Sequence, residues 1–83
     1  MKKKEIFELV VKHTCQVVPK LKKHTFQAED TLKDLGANSI DRSEIIDMTM
    51  ESLSLEIPRV KVFGAKNIGK LVDVLYQHGS GDK

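Results

Sequence analysis

Of the side chains able to do chemistry, Ser39 has the most informative neighbours: Gly36-Ala37-Asn38 before it and Ile40-Asp41 after it. Glycine and asparagine punctuate a chain. Asn38 followed three residues later by Asp41 has the form of a loose capping box. Ile46, Met50, Leu53 and Ile57 then recur at steps of four, three and four, one apolar stripe of an amphipathic helix. Ser39 therefore falls where a loop becomes a helix, beside unpaired backbone N–H groups and the positive end of the helix dipole. That setting favours a phosphate ester. The plainer reading is a serine that only caps its helix.

Asp41, Glu44, Asp47 and Glu51 form a second group, spaced by three, three and four along the same helix, with Met48 beside them. Such an edge is either a solvated face or a surface that steers toward partners with Lys and Arg patches. In the second case Met48 would add an adaptable apolar contact. Arg42 is a lone cation at the positive end of the dipole, a mildly unfavourable place. A weak ion pair with Glu44 or Asp47 and a specificity mark that admits some partners and rejects others both remain open for it. His13, His24 and His78 share no metal-like spacing, and Cys15 adds no partner ligand, so no metal site is expected. No glycine-serine elbow and no glycine-rich phosphate loop occur, so no catalytic residue is expected either.

The elements that position these groups follow from periodicity. Ile6, Phe7, Leu9, Val10, Val11, Val17 and Val18 define a wide helical face from about Lys3 to Val18, ended by Pro19. Residues 20–38 read as a long loop anchored by Phe26, Leu32 and Leu35, unusual in a domain this small. The second helix is expected from Ser39 or Ile40 to about Leu53 or Ser54. A short turn of helix near Arg59–Phe63 follows Pro58 and is broken by Gly64. Asn67 caps a last helix carrying Ile68, Leu71, Val72 and Leu75. With no strand pattern, the expected fold is all-α: a small bundle of three main helices and one short one, with a long loop between the first two. Residues 1–78 make the domain and 79–83 a flexible tail, since the stretch from His78 lacks apolar side chains.

Eighty-three residues allow one modest core and no second domain, which favours carrying or binding over catalysis. No apolar run is long enough to span a bilayer. Glu5, Glu8, Lys12 and His13 interrupt the stretch after Lys2-Lys3-Lys4, so no secretory segment is expected. The single Cys15 agrees with a reducing cytoplasm. It shares a helical face with Phe7, Val11 and Val18, as a small buried hydrophobe would. The net charge of +2 conceals a pattern: residues 1–24 sum to +5, residues 25–58 to −6 and residues 59–83 to +3. Such patterning speaks of partners. The lysines at 2–4 and 20–23 invite nucleic acid, but the exposed face of the second helix is acidic and would repel it. A small helical interaction module with a capped helix at Ser39 is the alternative from another class.

The run Asp34-Leu35-Gly36-Ala37-Asn38-Ser39-Ile40-Asp41 resembles the signature of acyl carrier proteins, and the resemblance extends from the first helix to about Tyr76. It implies that Ser39 carries 4′-phosphopantetheine, attached from coenzyme A by a phosphopantetheinyl transferase, and that the acidic helix docks partner enzymes. Asparagine at 38 and arginine at 42, with the weak overall charge, are similar to the discrete carriers of polyketide β-branching cassettes, in particular donor carriers of bacillaene-type trans-acyltransferase pathways. That likeness implies malonyl cargo from an acyltransferase and decarboxylation to acetyl by a ketosynthase-like enzyme. It implies delivery to a hydroxymethylglutaryl-synthase-like enzyme, with no membrane partner and a monomeric carrier. Fatty-acid and aminoacyl cargo are the alternatives within carriers.

Overall fold

A computed structural model describes residues 2–80 of the chain. Helix α1 spans Lys3–Val17. The Glu5 carboxylate accepts the Lys2 backbone N–H at 2.9 Å, satisfying one orphan donor at the helix start. Its buried face is Ile6, Val10, His13 and Thr14, narrower than the periodicity implies, because Phe7, Leu9, Val11 and Val17 are half-buried. Pro19 ends α1 as expected but also opens a 3₁₀ helix over Pro19–Lys23, correcting the reading of residues 20–38 as one loop. Proline suits that first position because the N–H it lacks would have no partner there. Leu21 drops from this turn into the core, and Cys15 is only half-buried, its thiol 3.7 Å from the Leu21 carbonyl.

The loop that follows is built on Asp30. Its carboxylate accepts the Gln27 N–H and His24 Nε2, both at 2.9 Å. The carbonyls of Asp30 and Ala28 accept the N–H groups of Ile68 and Gly69, again at 2.9 Å, so the loop satisfies two orphan donors at the start of the last helix. Position 69 must be glycine for this approach: a Cβ there would lie 2.9 Å from the Ala28 methyl. Phe26 and Leu35 pack half-buried against the core and Leu32 is buried, as their sequence positions imply.

Helix α2 spans Ser39–Leu53, helix α3 Arg59–Phe63 and helix α4 Ile68–Ser80. Asn67 Oδ1 accepts the Lys70 N–H at 2.8 Å and starts α4. That helix continues through the expected domain end at 78 as far as Ser80; residues 81–83 lie outside the described residues. Ile45, Ile46 and Thr49 are the buried residues of α2, whereas Met50 and Leu53 of the expected stripe are half-buried and Ile57 is buried beyond the helix end. Thr14 and Thr49 sit in the core because each hydroxyl bonds the carbonyl one turn back, Val10 at 2.7 Å and Ile45 at 2.8 Å. His13 ties α1 to the end of α2, with Nε2 3.0 Å from the Ser52 hydroxyl and Nδ1 3.1 Å from Gln16 Oε1. Ile68, Leu71, Val72 and Leu75 of α4 complete the core against Ile6, Val10 and Ile45. Among the described residues no helix is long and apolar enough to cross a membrane.

Candidate functional site

Ser39 is presented by a turn that its own sequence builds. The Gly36 N–H bonds the Lys33 carbonyl and the Ala37 N–H bonds the Leu32 carbonyl, at 3.1 and 3.0 Å. This paired closure requires a left-handed residue, and Gly36 supplies it at φ 102°. Ala37 then inserts into the core at 2% exposure. Asn38 stays extended and caps α2: its Oδ1 accepts the Asp41 N–H at 2.8 Å while Asp41 Oδ2 accepts the Asn38 N–H at 3.3 Å. The cap is therefore Asn38, not the serine beside it. Ser39 occupies the first helical position, is exposed, and its hydroxyl makes no hydrogen bond among the described residues. The plainer reading of Ser39 as a cap does not hold.

The acidic row divides. Glu44 and Glu51 are exposed, and with Ser39, Ile40, Ser43, Asp47 and Met48 they line an open groove on the outer face of α2. Asp41 does not join them, because its carboxylate serves the cap. Asp47 lies in the groove but is held from α3: Arg59 Nη2 donates to both of its oxygens at 2.9 Å and Nη1 reaches Ser43 Oγ at 3.0 Å. Sequence reasoning missed Arg59, whose only signal was a cation just after Pro58. Arg42 pairs with neither Glu44 nor Asp47, which corrects that expectation; its Nη1 donates to the Ala37 carbonyl at 3.0 Å, turned away from the acidic row. Ile40, 76% exposed, is the large apolar side chain next to Ser39.

A separate cavity of about 210 Å3 lies between α2, α3 and α4, lined by Arg42 and Ile46 of α2, Val62 and Phe63 of α3 and Ile68 and Leu71 of α4, among others. Ser39 is outside it, on the groove side of the helix. His13 and His24 are engaged with Ser52 and Gln16 and with Asp30, so neither serves as a base to Ser39.

Helices around one core, with an exposed serine at the first position of α2, define a small all-α domain. The family model described as a phosphopantetheine attachment site matches residues 10–75. The chain is 53% identical over 76 residues to the polyketide biosynthesis acyl-carrier-protein AcpK of Bacillus subtilis (strain 168), covering 92% of this chain and 93% of that one. It is 38% identical over 47 residues to the acyl carrier protein of Clostridium perfringens (strain 13), covering 57% and 62%. A solved structure described as the curacin biosynthetic pathway HMG synthase in complex with acetyl donor-ACP matches at a TM-score of 0.85 and 44% identity, over 90% of this chain and 96% of that chain. The protein belongs to the acyl carrier proteins: it carries covalently attached 4′-phosphopantetheine and is a carrier rather than a catalyst.

Proposed function

We propose that the arm is attached at Ser39 and that the protein delivers a short acyl group, malonyl or the acetyl derived from it, to a hydroxymethylglutaryl-synthase-like enzyme in polyketide β-branching. The observation that carries this reading is the 44% identity, at a TM-score of 0.85, with a chain from a complex of an HMG synthase and its acetyl donor carrier. The residues present suit the arm. Gly36 and Ala37 are small, Asn38 frees Ser39 from capping, and the hydroxyl faces solvent. In attachment the Ser39 oxygen bonds the phosphorus next to pantetheine in coenzyme A, its proton leaves, and adenosine bisphosphate departs. A phosphopantetheinyl transferase supplies the catalysis, and Ser39, at the first position of α2, would hold the phosphodiester at the positive end of the helix dipole. The arm supplies a thiol for thioester linkage, and tethering raises the local concentration of the acyl group once a partner docks.

Glu44, Asp47, Met48 and Glu51 with Ile40 form the docking face for that enzyme, for an acyltransferase and for a decarboxylating ketosynthase-like enzyme, in the cytoplasm. Asp41 acts within the cap. The test loads the arm with acetyl, or with a longer acyl chain, and adds an HMG-type synthase and a second carrier holding a β-ketoacyl group. Transfer of acetyl carbon to the second carrier is expected from the acetyl form and not from the long-chain form. No transfer, with efficient elongation by fatty-acid enzymes instead, would move the protein to fatty-acid synthesis.

A further inference from the structure

Residues 59–83 carry five basic side chains and two acidic ones. Three of the basic ones, Lys61, Lys66 and Lys70, line an open groove of about 500 Å3 between α3 and α4. All three are exposed, and none makes an ion pair with a carboxylate among the described residues. The one carboxylate on the lining, Asp73, is already taken. The Lys3 ammonium of α1 stands 3.1 Å from it and lies 5.3 Å from the centre of the Tyr76 ring. Along α4, Lys70, Asp73 and Gln77 follow at steps of three and four, on the side opposite the buried Val72 and Leu75. Half-buried Ala65 and Val74 give the groove an apolar floor. The groove on α2 is its counterpart. Glu44, Asp47 and Glu51 line that one and no cation does, with Ile40 and Met48 as its apolar groups. Asp47 is held by Arg59, whereas Glu44 and Glu51 have no ion-pair partner among the described residues.

We propose that the α3–α4 groove is a docking surface for the acidic α2 face of a second copy of this chain. Lys61, Lys66 and Lys70 meet Glu44 and Glu51, and Ile40 and Met48 lie toward Ala65 and Val74. Two observations favour this occupant over a nucleic acid, which three lysines would also attract. The complementary acidic groove is present on every copy. The floor of the basic groove is apolar, which suits Ile40 at 76% exposure and offers a phosphate backbone nothing. The contact joins two different patches, so one copy gives its α2 face and the other its α3–α4 groove. The first copy then has the face proposed above for enzyme docking covered, while the second keeps its own open. Exposed ion pairs contribute about 1 kcal/mol or less each and are screened by salt. The association is therefore weak, belongs to high carrier concentration and low ionic strength, and yields to an enzyme that binds α2 more tightly. Neither patch needs the arm, so this inference stands or falls apart from attachment at Ser39.

The experiment follows the backbone amides of the intact nitrogen-15-labelled protein, without the arm, from micromolar to millimolar concentration at low salt. Shifts that grow with concentration are expected at Glu44, Met48 and Glu51 and at Lys61, Lys66 and Lys70 together. They should collapse in about 1 M salt, where the screening length is about 3 Å. Lys66→Glu with Lys70→Glu should weaken the association roughly tenfold, equivalent to about 1.4 kcal/mol, and so should Glu44→Lys with Glu51→Lys. Mixing these two double variants should bring the shifts back, because each then offers the other an oppositely charged face. Lys22→Glu with Lys23→Glu changes the net charge as much as the lysine pair of the groove but lies outside both surfaces, and should leave the association nearly unchanged. Spectra independent of concentration would overturn the proposal, and the natural protein alone decides that even if a variant fails to fold. A loss as large in the Lys22 and Lys23 variant would reduce the effect to net charge and overturn it as well. So would shifts at Lys66 and Lys70 that appear only on adding a short DNA duplex, which would assign the groove to nucleic acid.

Discussion

At the scale of the residue, the decisive fact is which side chain caps α2. Asn38 and Asp41 exchange hydrogen bonds across three residues, and this leaves Ser39 exposed beside them. That arrangement is legible in sequence because a capping box is local: its partners sit at fixed offsets whatever the rest of the fold does. The pairing of Asp47 with Arg59 was not legible, since it spans 12 residues and depends on how the chain reverses at Pro58. The same holds for Arg42, whose bond to Ala37 depends on how the turn before Ser39 closes. Asp47 is thus already engaged, and the docking face proposed above presents Glu44 and Glu51 as its exposed acids. The double reversal Glu44→Lys and Glu51→Lys should slow acyl transfer at low salt about tenfold or more through lost steering. Arm attachment and helical content should persist. Kinetics of transfer at two ionic strengths check this, and unchanged rates would mean that the edge is merely solvated.

At the scale of the element, helix ends and core registers separate what periodicity can specify from what it cannot. The bounds of α2 and α3 match their caps and breakers, Asn38, Pro58 and Gly64, because these act on the backbone directly. Pro19 stopped α1 but also began a 3₁₀ turn, and a proline alone does not say which follows. The buried face of α2 was misjudged by one position. Thr49 looks polar in sequence, yet a hydroxyl bonded to Ile45 enters the core, which turns the burial toward Ile45. The end of α2 carries a cost of its own. Ser54 adopts φ 56°, while the Leu55 N–H bonds the Met50 carbonyl and the Ser54 N–H that of Glu51. Left-handed backbone is unfavourable for a residue with a Cβ. Ser54→Gly should stabilise the fold by about 0.5–1 kcal/mol, measured by chemical denaturation. A destabilised variant would show that the Ser54 side chain makes a contact of greater weight.

At the scale of the molecule, two long-range links organise the fold around the site. One is the loop that joins the 3₁₀ turn to α2, fastened to α4 through the Asp30 and Ala28 carbonyls. The hydrogen bond from His24 and then that from the Gln27 N–H hold the Asp30 carboxyl below its ordinary value. Because the folded-state value is the lower one, the carboxylate stabilises the fold above the unfolded-state value, about pH 4. That contribution is lost as pH falls through the folded-state value. The stability difference between the natural protein and Asp30→Asn should therefore shrink as pH falls below about 4. Thermal melts across that range test it, and a difference independent of pH would place the role of Asp30 in packing. The other link is the division of charge about α2, with carboxylates outward and Arg42 and Lys33 at the inner cavity. The sequence contains the acidic middle and its two cations, but their separation onto opposite sides of one helix emerges only from the fold.

The central claim is that the Ser39 hydroxyl, freed from capping and open to solvent, receives the phosphopantetheine arm. Intact-protein mass spectrometry after incubation with coenzyme A, magnesium and a broad-specificity phosphopantetheinyl transferase tests it most directly. The account predicts a single added arm, located by fragmentation at position 39, and no addition to a folded Ser39→Ala variant. An arm found on another residue, or an unchanged mass for the folded natural protein, would contradict it.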